Sequence, residues 1–375
     1  MSRRMRVGVI FGGRSVEHEV SLVSARSIIE NLDRERYEVV PIGITRHGKW
    51  VTSPDASRLL ETGLDSEESR ACLLPGDPSA GGLLRLGNGS NPGAVSALDV
   101  VFPVVHGGRG EDGTLQGLLE LADIPYVGAG VMASAVGMDK DMMKRIFREA
   151  GLPVVASRTL LRGDWERSRS DWVREISGEL GYPCFVKPAN TGSSVGITKA
   201  HDPREMERGL DLAFRYDRKA VAEAGVDARE LECSVLGNDD PLASVVGEIV
   251  PCNEFYDYEA KYLAEGSRLI IPAEIPGEVA DEVRRIAVAA FRAVDGAGMA
   301  RVDFFLDRRT GAVYLNELNT IPGFTPISMY PKLWEASGTP YPELLDRLIT
   351  LALERHREKQ RCDTDFRPPR EVSHP

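Results

Sequence analysis

The sequence from residue 300 to residue 328 reads ARVDFFLDRRTGAVYLNELNTIPGFTPIS, and this stretch decides the fold. Residues 302–306 are β-branched and aromatic, residues 307–311 are typical of a turn, and residues 313–318 resume a strand pattern. The stretch therefore predicts two antiparallel strands joined by a tight turn. A turn centred near Thr310 fixes which residues face each other across the two strands.

Four polar residues of this hairpin are predicted to share one face. Side chains alternate between the faces of a strand, so this register sets Asp303 opposite Glu317 and Arg301 opposite Asn319. Two carboxylates and a carboxamide suit a hard cation such as Mg²⁺, which is often shared with substrate phosphates. The turn at residues 319–324 can present backbone N–H groups beside the same face. The hairpin indicates a metal–nucleotide site, and a solvated face of ordinary charges is the alternative.

Length and composition indicate a soluble globular protein of two or three domains. The chain has 375 residues, of which 42% are hydrophobic and 27% charged, and its net charge is -11. This negative charge disfavours nucleic acid as a partner. We expect neither export nor a membrane partner, because no signal peptide and no apolar span of ~18 residues is recognisable. The five scattered cysteines are expected to be free thiols, and the six histidines lack metal-ligand spacing.

The N-terminal region predicts a parallel α/β sheet. An apolar strand at residues 7–11, a helix and a second strand at residues 37–44 form a β-α-β unit. Glu17 lies in the turn after the first strand, where open α/β sheets place ligands; a favourable charge for the helix dipole is the alternative. A further strand at residues 98–105 ends at His106, which is either a site residue or a structural histidine.

The central region predicts a phosphate-binding loop. A strand ending at Lys187 is followed by the small-residue loop ANTGSSVG at residues 189–196. Successive backbone N–H groups of such a loop can converge on an anion, and a lysine can hold the same phosphate. The loop is not a Walker A motif, and a glycine-rich hairpin is the alternative. The extended run that follows carries Glu223 and Glu230; its backbone groups could serve the edge of an adenine, and these carboxylates could serve a ribose.

Four other segments complete the prediction. Residues 53–97 lack periodicity and are expected to form a surface excursion. Residues 254–262 are polar and aromatic and are expected to form a lid. Residues 280–294 predict an amphipathic helix that leads into the hairpin. The tail at residues 362–375 is expected to be disordered.

Taken together, these motifs resemble those of D-alanine–D-alanine ligases of the ATP-grasp superfamily. The matching motifs, in the expected order, are GGRSVEHEVSL, HGGRGEDGTLQG, MDK, VKPANTGSSVG, EFYDYEAKY, ARVDFFL and NELNTIPGFTPIS. The resemblance implies an α/β chain with three domains. These are an N-terminal parallel-sheet substrate domain (1–129), a central domain (130–226) and a C-terminal catalytic domain (227–361), the last two clasping ATP.

The resemblance also implies roles for single residues. Around ATP it implies Lys140 and Lys187 at the phosphates, Glu223 and the backbone of Ala224 to Val226 at the adenine, and Glu230 at the ribose. Ser194 and Lys261 are implied as further ATP-binding residues. As ligands of Mg²⁺ or Mn²⁺, with two ions expected, it implies Asp303, Glu317 and Asn319. Around the first substrate molecule it implies Glu17 at the ammonium, Ser193 and Tyr262 hydrogen-bonded to Glu17, and His106 nearby. It implies Arg301 and the N–H of Gly323 at the oxyanion, and Ser328 with Lys261 at the carboxylate of the second substrate molecule.

The activity that the resemblance implies is ATP-dependent ligation of two D-alanines through an acyl phosphate, for peptidoglycan precursors, by a cytoplasmic homodimer. One alternative is a ligase that joins D-alanine to D-lactate; such relatives usually replace the lid tyrosine, which is Tyr262 here. A second is a non-catalytic nucleotide-binding regulator, which predicts lost metal ligands or a lost arginine. A third is a nicotinamide oxidoreductase, which the sequence GGRSVE at residues 12–17 disfavours because it lacks G-x-G-x-x-G.

Overall fold

The computed structural model describes residues 3–65, 70–86, 95–250 and 268–363. Within these ranges the strands form three sheets that follow one another along the chain. The expected lid at residues 254–262, with Lys261 and Tyr262, lies outside the described residues, as does the tail after residue 363. None of the described helices combines the length and apolarity needed to cross a membrane.

The first sheet has seven strands in the order β6-β5-β4-β3-β2-β1-β7. Its strands are β1 (Met5–Gly12), β2 (Tyr37–Ile44), β3 (Trp50–Thr52), β4 (Arg70–Leu73), β5 (Gly82–Arg85), β6 (Val95–Ala97) and β7 (Val100–Pro103). β1 is parallel to both β2 and β7, as the β-α-β pattern predicts. The associated helices are α1 (His18–Asn31), α2 (Ala56–Thr62) and α3 (Thr114–Leu121), with a short 3₁₀ helix at Pro78–Ala80. Helix α4 (Val131–Met138) follows and contributes Ala133 to the core of the third sheet.

The expectation of a surface excursion at residues 53–97 is wrong. Strands β3 to β6 are antiparallel to their neighbours and extend the sheet on the side of β2. Cys72 and Leu83 from this region are buried in one core cluster with Ile42. The added strands are only three or four residues long, too short for an alternating pattern to stand out among turn-forming residues.

The second sheet is antiparallel and has the order β10-β9-β11-β8. Its strands are β8 (Ser157–Leu161), β9 (Cys184–Pro188), β10 (Thr198–Ala200) and β11 (Lys219–Ala224). The helices around it are α5 (Lys140–Glu149), α6 (Arg162–Arg167), α7 (Arg169–Leu180) and α8 (Pro203–Tyr216). Its core is built from Trp165, Ile176, Met206 and Leu210, which pack against Val186.

The third sheet is antiparallel and has the order β14-β13-β12-β15-β16. Its strands are β12 (Ala228–Gly237), β13 (Leu242–Val250), β14 (Arg268–Ile270), β15 (Gly298–Asp307) and β16 (Val313–Asn319). The helix predicted over residues 280–294 is α9 (Gly277–Ala293), and α10 (Met329–Ala336) and α11 (Tyr341–Lys359) follow the sheet. Buried residues of α9 share a core cluster with Val302 and Phe304, so one face of the sheet is covered.

The register predicted for the hairpin of β15 and β16 is confirmed. Arg301 pairs with Asn319, and Asp303 pairs with Glu317. The pairing then shifts by one residue, since Phe304 pairs with Leu315. Residue 316 is therefore the extra residue of a β-bulge in β16. The bulge lies between the turn and the four polar side chains, whose pairing is the one predicted.

An aromatic cluster joins the third sheet to the first. The ring of Phe324, just after β16, is fully buried and lies 5.8 Å, centroid to centroid, from Phe102 on β7. Tyr330 and Tyr341 contact the same ring at 5.5 and 6.2 Å. This packing fixes the turn of residues 320–324, hereafter the Gly323 turn, against the carboxyl end of β7.

Candidate active site

The carboxylate of Glu17 lies where three segments of the chain meet. Glu17 precedes α1, and its Oε1 accepts a hydrogen bond from the hydroxyl of Ser193 in the loop between β9 and β10. A Cβ atom at either Gly107 or Gly192 would lie 2.6 Å from Glu17 Oε2, so a side chain at either position would push this carboxylate aside. Oε2 is buried and has no hydrogen-bond partner among the described residues. A buried carboxylate oxygen without a donor fits a cationic ligand group such as an ammonium.

The polar face predicted for β15 and β16 is present. Arg301 donates from Nε and Nη2 to the two carboxylate oxygens of Asp303, each at 2.7 Å. Arg301 Nε also lies 3.1 Å from Oε2 of Glu232, which comes from the neighbouring strand β12. Burial opposes the charge of Arg301, but Asp303 and Glu232 raise its pKa well above its usual value. The guanidinium is therefore a fixed positive charge in the middle of an acidic face.

The residues of this face fit a divalent cation in chemical type. Asp303, Glu317 and Asn319 supply only hard oxygen donors, which Mg²⁺ prefers. In the structure Asn319 Nδ2 donates to Asp303 Oδ2 at 3.1 Å. Arg301 has Glu232 as a second acidic partner besides Asp303. Over the described part of the chain, no cluster of three or more His, Cys, Asp and Glu side chains has metal-holding geometry, and the set here has only two acids.

A buried ionic cluster lies between the second and third sheets. Glu223 Oε2 accepts from Nζ of Lys187 at 2.8 Å, and Glu223 Oε1 lies 3.3 Å from Nζ of Lys144. Lys144 also donates to the backbone carbonyl of Asn316, the bulge residue of β16, at 3.1 Å, and its side chain is only 1% exposed. The charge of Glu317 acts on both lysines, which places the cluster beside the polar face.

The charges of this cluster are set by competition between burial and pairing. Burial alone would raise the pKa of Glu223, but Lys144 and Lys187 lower it to about 2. Burial lowers the pKa of Lys144, whereas at Lys187 burial is outweighed by Glu223 and Glu317 together, which raise its pKa. Lys187 is therefore held as a positive charge, which suits the phosphates of a nucleotide.

The small-residue loop between β9 and β10 has the conformation of an anion-binding loop. Ser193, Ser194 and Gly196 have φ angles of 49°, 57° and 78°, in the left-handed region. Left-handed residues turn neighbouring N–H groups toward one concavity. Lys140, at the start of α5, donates from Nζ to the carbonyl of Thr191 in this loop at 2.7 Å. The second lysine expected at the phosphates is therefore at the loop.

The Gly323 turn lies beside the polar face and close to Ser328. A Cβ atom at Gly323 would lie 2.7 Å from Oγ of Ser328, so a side chain at this position would displace the hydroxyl. Ser328 Oγ itself accepts from the N–H of Thr325 at 3.0 Å. Ser328 is the residue that precedes α10, so its hydroxyl lies at the positive end of a helix. The turn and the helix end together present donors to an anionic group.

Two family models match this chain. Residues 6–129 match the model described as D-ala D-ala ligase N-terminus, and residues 146–350 match D-ala D-ala ligase C-terminus. The chain belongs to the D-alanine–D-alanine ligase family. Two relatives named D-alanine–D-alanine ligase agree with this family in sequence. The one from Heliobacterium modesticaldum is 53% identical over 97% of this chain and 99% of its own length; the one from Thermoanaerobacter sp. (strain X514) is 54% identical over 96% and 99%.

Solved structures of the D-alanine–D-alanine ligase family share the fold. The D-alanine–D-alanine ligase from Coxiella burnetii superposes with a TM-score of 0.82 at 38% identity, covering 96% of this chain and 97% of its own. VanG D-Ala:D-Ser ligase from Enterococcus faecalis superposes with a TM-score of 0.83 at 37% identity, covering 93% and 100%. The three sheets are those of the ATP-grasp fold, as the sequence resemblance implies.

The segment expected at the adenine of a ligase joins the second sheet to the third. Ala224 ends β11 and donates its N–H to the carbonyl of Ala156 at 2.9 Å. Gly225 donates to the carbonyl of Pro183 at 2.9 Å, and a Cβ there would lie 2.5 Å from that oxygen. Val226 follows, partly buried, and Glu230 lies on β12 on the same face as Glu232. The contact with Pro183 explains why a small residue occupies position 225.

Four residues at or beside this site were not found from the sequence: Lys144, Glu232, and also Glu111 and Ser24, which accept hydrogen bonds from the backbone of the Gly323 turn. Lys144 lies four residues after Lys140, and this helical spacing could have placed it on the same side of α5. Glu232 lies two residues after Glu230, and strand alternation could have placed both on one face. Glu111 belongs to the motif HGGRGEDG but carries no signal of its own, and Ser24 is one of several small residues in α1.

Lys144→Met tests the buried ionic cluster. The substitution removes one partner of Glu223 and leaves the Asn316 carbonyl without its lysine, so the free energy of unfolding should fall by about 3 kcal/mol or more. Urea unfolding at neutral pH measures the change. Arg145→Met is the matched control, because Arg145 lies next to Lys144 on α5 but its side chain is 63% exposed, and its partner Asp141 keeps Thr159 and Lys219 as partners. That variant should lose less than about 1 kcal/mol. Equal losses in the two variants would contradict the assignment.

Glu111 provides a test by pH. Its Oε2 accepts from the N–H of Gly107 at 2.6 Å and its Oε1 from the N–H of Ile321 at 3.3 Å. Burial, and then the negative charge of Glu17, raise the pKa of Glu111 from an ordinary 4.5 to about 8. Between these two values the folded protein holds a proton that the unfolded chain has lost. The stability contributed by this proton is complete below pH 4.5 and is lost as the pH rises through 8.

The variant Glu111→Gln cannot titrate, so its stability relative to the unsubstituted chain should increase from pH 5 to pH 9. Urea unfolding of both proteins without substrate, across this range, measures the difference. Two curves that run parallel across the range would show that Glu111 does not hold the proton.

Proposed function

We propose that this chain joins two molecules of D-alanine in an ATP-dependent reaction that supplies a dipeptide for peptidoglycan precursors. The observation that carries the proposal is the presence, close to the same two residues, of a buried carboxylate oxygen without a donor on Glu17 and a buried guanidinium on Arg301. Those two residues are His106 and Glu111, since both charges act on each of them. A small amino acid, with an ammonium at one end and a carboxylate at the other, suits this arrangement.

In the first step, a carboxylate oxygen of the first D-alanine attacks the γ-phosphorus of ATP, ADP leaves, and an acyl phosphate forms. Glu17 holds the ammonium, and Ser193 orients Glu17 through its hydroxyl. Lys140, Lys187 and the N–H groups around Ser194 hold the phosphates. We assign Glu223, with the backbone of Ala224 to Val226, to the adenine, and Glu230 to the ribose. Catalysis in this step is positioning and charge stabilisation.

In the second step, the amine of the second D-alanine attacks the acyl carbon through a tetrahedral oxyanion, and phosphate leaves. We assign Arg301 and the N–H of Gly323 to the oxyanion, and Ser328 with Lys261 to the carboxylate of the second D-alanine. Tyr262 is proposed to join Ser193 and Glu17 and to close the cleft. Closure excludes water, which would otherwise hydrolyse the acyl phosphate.

Asp303, Glu317 and Asn319 are the residues proposed to hold Mg²⁺ or Mn²⁺, with two ions between them. When bound, these ions neutralise the charge that develops on the phosphate oxygens. Glu232 contributes by pairing with Arg301 when Asp303 takes a cation as its partner. We further propose that the enzyme acts in the cytoplasm as a homodimer.

The activity is tested by incubating the protein with ATP, Mg²⁺ and D-alanine. We expect one phosphate released for each D-alanyl-D-alanine formed, and no dipeptide with L-alanine. Phosphate is measured by a coupled colour assay and the dipeptide by chromatography. D-Serine and D-lactate are offered in parallel as second substrates at neutral pH. Preference for either over D-alanine would contradict the proposed dipeptide, and no product with any of the three would contradict the ligase activity.

Arg301→Ala tests the oxyanion assignment. Loss of one oxyanion donor typically lowers kcat by ~10²–10³, while the affinity for ATP should change little. Arg301→Lys keeps one positive charge between Asp303 and Glu232 and guards against misfolding. Arg229→Ala is the matched control, because Arg229 forms a similar two-pronged pair with Glu248 at 2.6–2.7 Å in the same sheet. Turnover near normal in Arg301→Ala would refute the role of Arg301.

A further inference from the structure

The backbone of the Gly323 turn is held by side chains from the N-terminal part of the chain. Ile321 donates its N–H to Glu111 Oε1 at 3.3 Å, and its carbonyl lies 3.2 Å from Nδ1 of His106. Phe324 donates its N–H to Oγ of Ser24 at 3.2 Å. The backbone groups on both sides of Gly323 are therefore bonded to side chains of helix α1 and of the loop after β7, and Gly323 lies between two fixed points.

The hydrogen bonds around His106 fit a neutral imidazole with its proton on Nδ1. The Ile321 carbonyl can only accept, so Nδ1 of His106 carries a proton and donates to it. His106 Nε2 lies 3.2 Å from Oγ of Ser24, which accepts from the N–H of Phe324 and can donate its own proton to Nε2. A neutral imidazole satisfies all of these bonds, and burial lowers the pKa of His106 in agreement with this form. His106 therefore helps to hold the Gly323 turn, directly through Nδ1 and indirectly through Nε2 and Ser24.

Glu111 connects the same turn to the pocket of Glu17. Its second oxygen accepts from the N–H of Gly107 at 2.6 Å. Gly107 is one of the two glycines whose missing side chain leaves room for Glu17 Oε2. The carboxylate of Glu111 therefore sets the distance between the Gly323 turn and the loop of Gly107, which borders the proposed ammonium site. Neither Glu111 nor Ser24 has a part in the two steps described above.

We propose that Ser24, His106 and Glu111 form a clamp (the turn clamp) that positions the N–H of Gly323 for the oxyanion, with Glu111 as a positioning residue that sets the turn's distance from the Glu17 pocket. The inference rests on the proposed function. A donor to an oxyanion acts only if it is held before charge develops. A turn after a strand has no ladder to hold it, so its position depends on such side-chain bonds.

The clamp predicts different effects on the two steps. Gly323 serves the oxyanion of the second step, whereas ATP and the first phosphoryl transfer depend on lysines and acidic residues of other segments. A displaced turn should slow attack by the second amine and leave acyl phosphate formation less affected. The waiting acyl phosphate then reacts with water, which returns D-alanine and phosphate without dipeptide. Phosphate released per dipeptide is therefore the sensitive measurement.

The test compares Glu111→Gln with the unsubstituted enzyme. A glutamine has one acceptor oxygen and can satisfy only one of the N–H groups of Gly107 and Ile321. We expect kcat for dipeptide to fall by roughly 10- to 100-fold, since small misplacements have effects of this size. The KM for ATP should stay within about twofold, and the ratio of phosphate to dipeptide should rise from about one to about two or more.

Two further variants complete the experiment. Ser24→Ala removes the acceptor of the Phe324 N–H and should raise the same ratio, so it decides the question if Glu111→Gln does not fold. Asp112→Asn is the control, because Asp112 caps its own loop by accepting from Arg109 and Thr114 at 2.7 and 3.0 Å. Its ratio should equal that of the unsubstituted enzyme.

A ratio unchanged in Glu111→Gln, or in Ser24→Ala where that variant decides, overturns the clamp whatever happens to kcat. A rise as large in Asp112→Asn overturns it as well, because a general loosening of the loop would then explain the effect. If the unsubstituted chain makes no dipeptide, the proposed function fails before the clamp is compared.

Discussion

Strand alternation on β15 is the constraint on which the rest of the structure depends. Val302 and Phe304 are buried against α9, and this fixes Arg301 and Asp303 on the opposite face. A shift by one residue would bury the charges and expose the core, so the hydrophobic effect sets the register of the charged groups. The polar face is thus held by residues that never touch a substrate. The bulge at residue 316 then offers its carbonyl to Lys144 and ties the ionic cluster to the same strand.

The close approach of separate backbone segments to Glu17 is the second condition for forming the site. The carboxylate of Glu17 is approached on two sides by glycines from separate segments, at distances that leave no room for a Cβ. This explains why the motifs around the site are rich in glycine although they belong to different sheets. The glycines let three segments close on one carboxylate, and the same closure buries its oxygen. A buried, donor-free oxygen has a strong preference for a cationic ligand group, so close packing itself provides selectivity.

The sequence predicted what depends on neighbouring residues and missed what depends on distant contacts. The hairpin register, the parallel opening unit and the helix before the hairpin follow from periodicity, and the structure confirms them. The short strands β4 to β6 gave no readable period, and the region was wrongly expected to be a surface excursion. Glu111 could not be predicted, because its role depends on a contact with Ile321, 210 residues further along the chain. Individual roles came from family resemblance, which periodicity does not supply.

The chemistry explains why positioning residues carry so much of this site. In the proposed reaction both nucleophiles and both leaving groups belong to the substrates, so the protein needs no nucleophile of its own. The cysteines fit this view, since burial raises the thiol pKa of Cys72 and Cys233 to about 12 and that of Cys184 to about 11. What the protein supplies is a set of charges and N–H groups held at fixed distances. The positions of these groups depend on the contacts between the sheets that carry them. The aromatic packing of Phe324 and the hydrogen bonds of the turn clamp are therefore part of the catalytic apparatus, although they lie beside the reacting atoms.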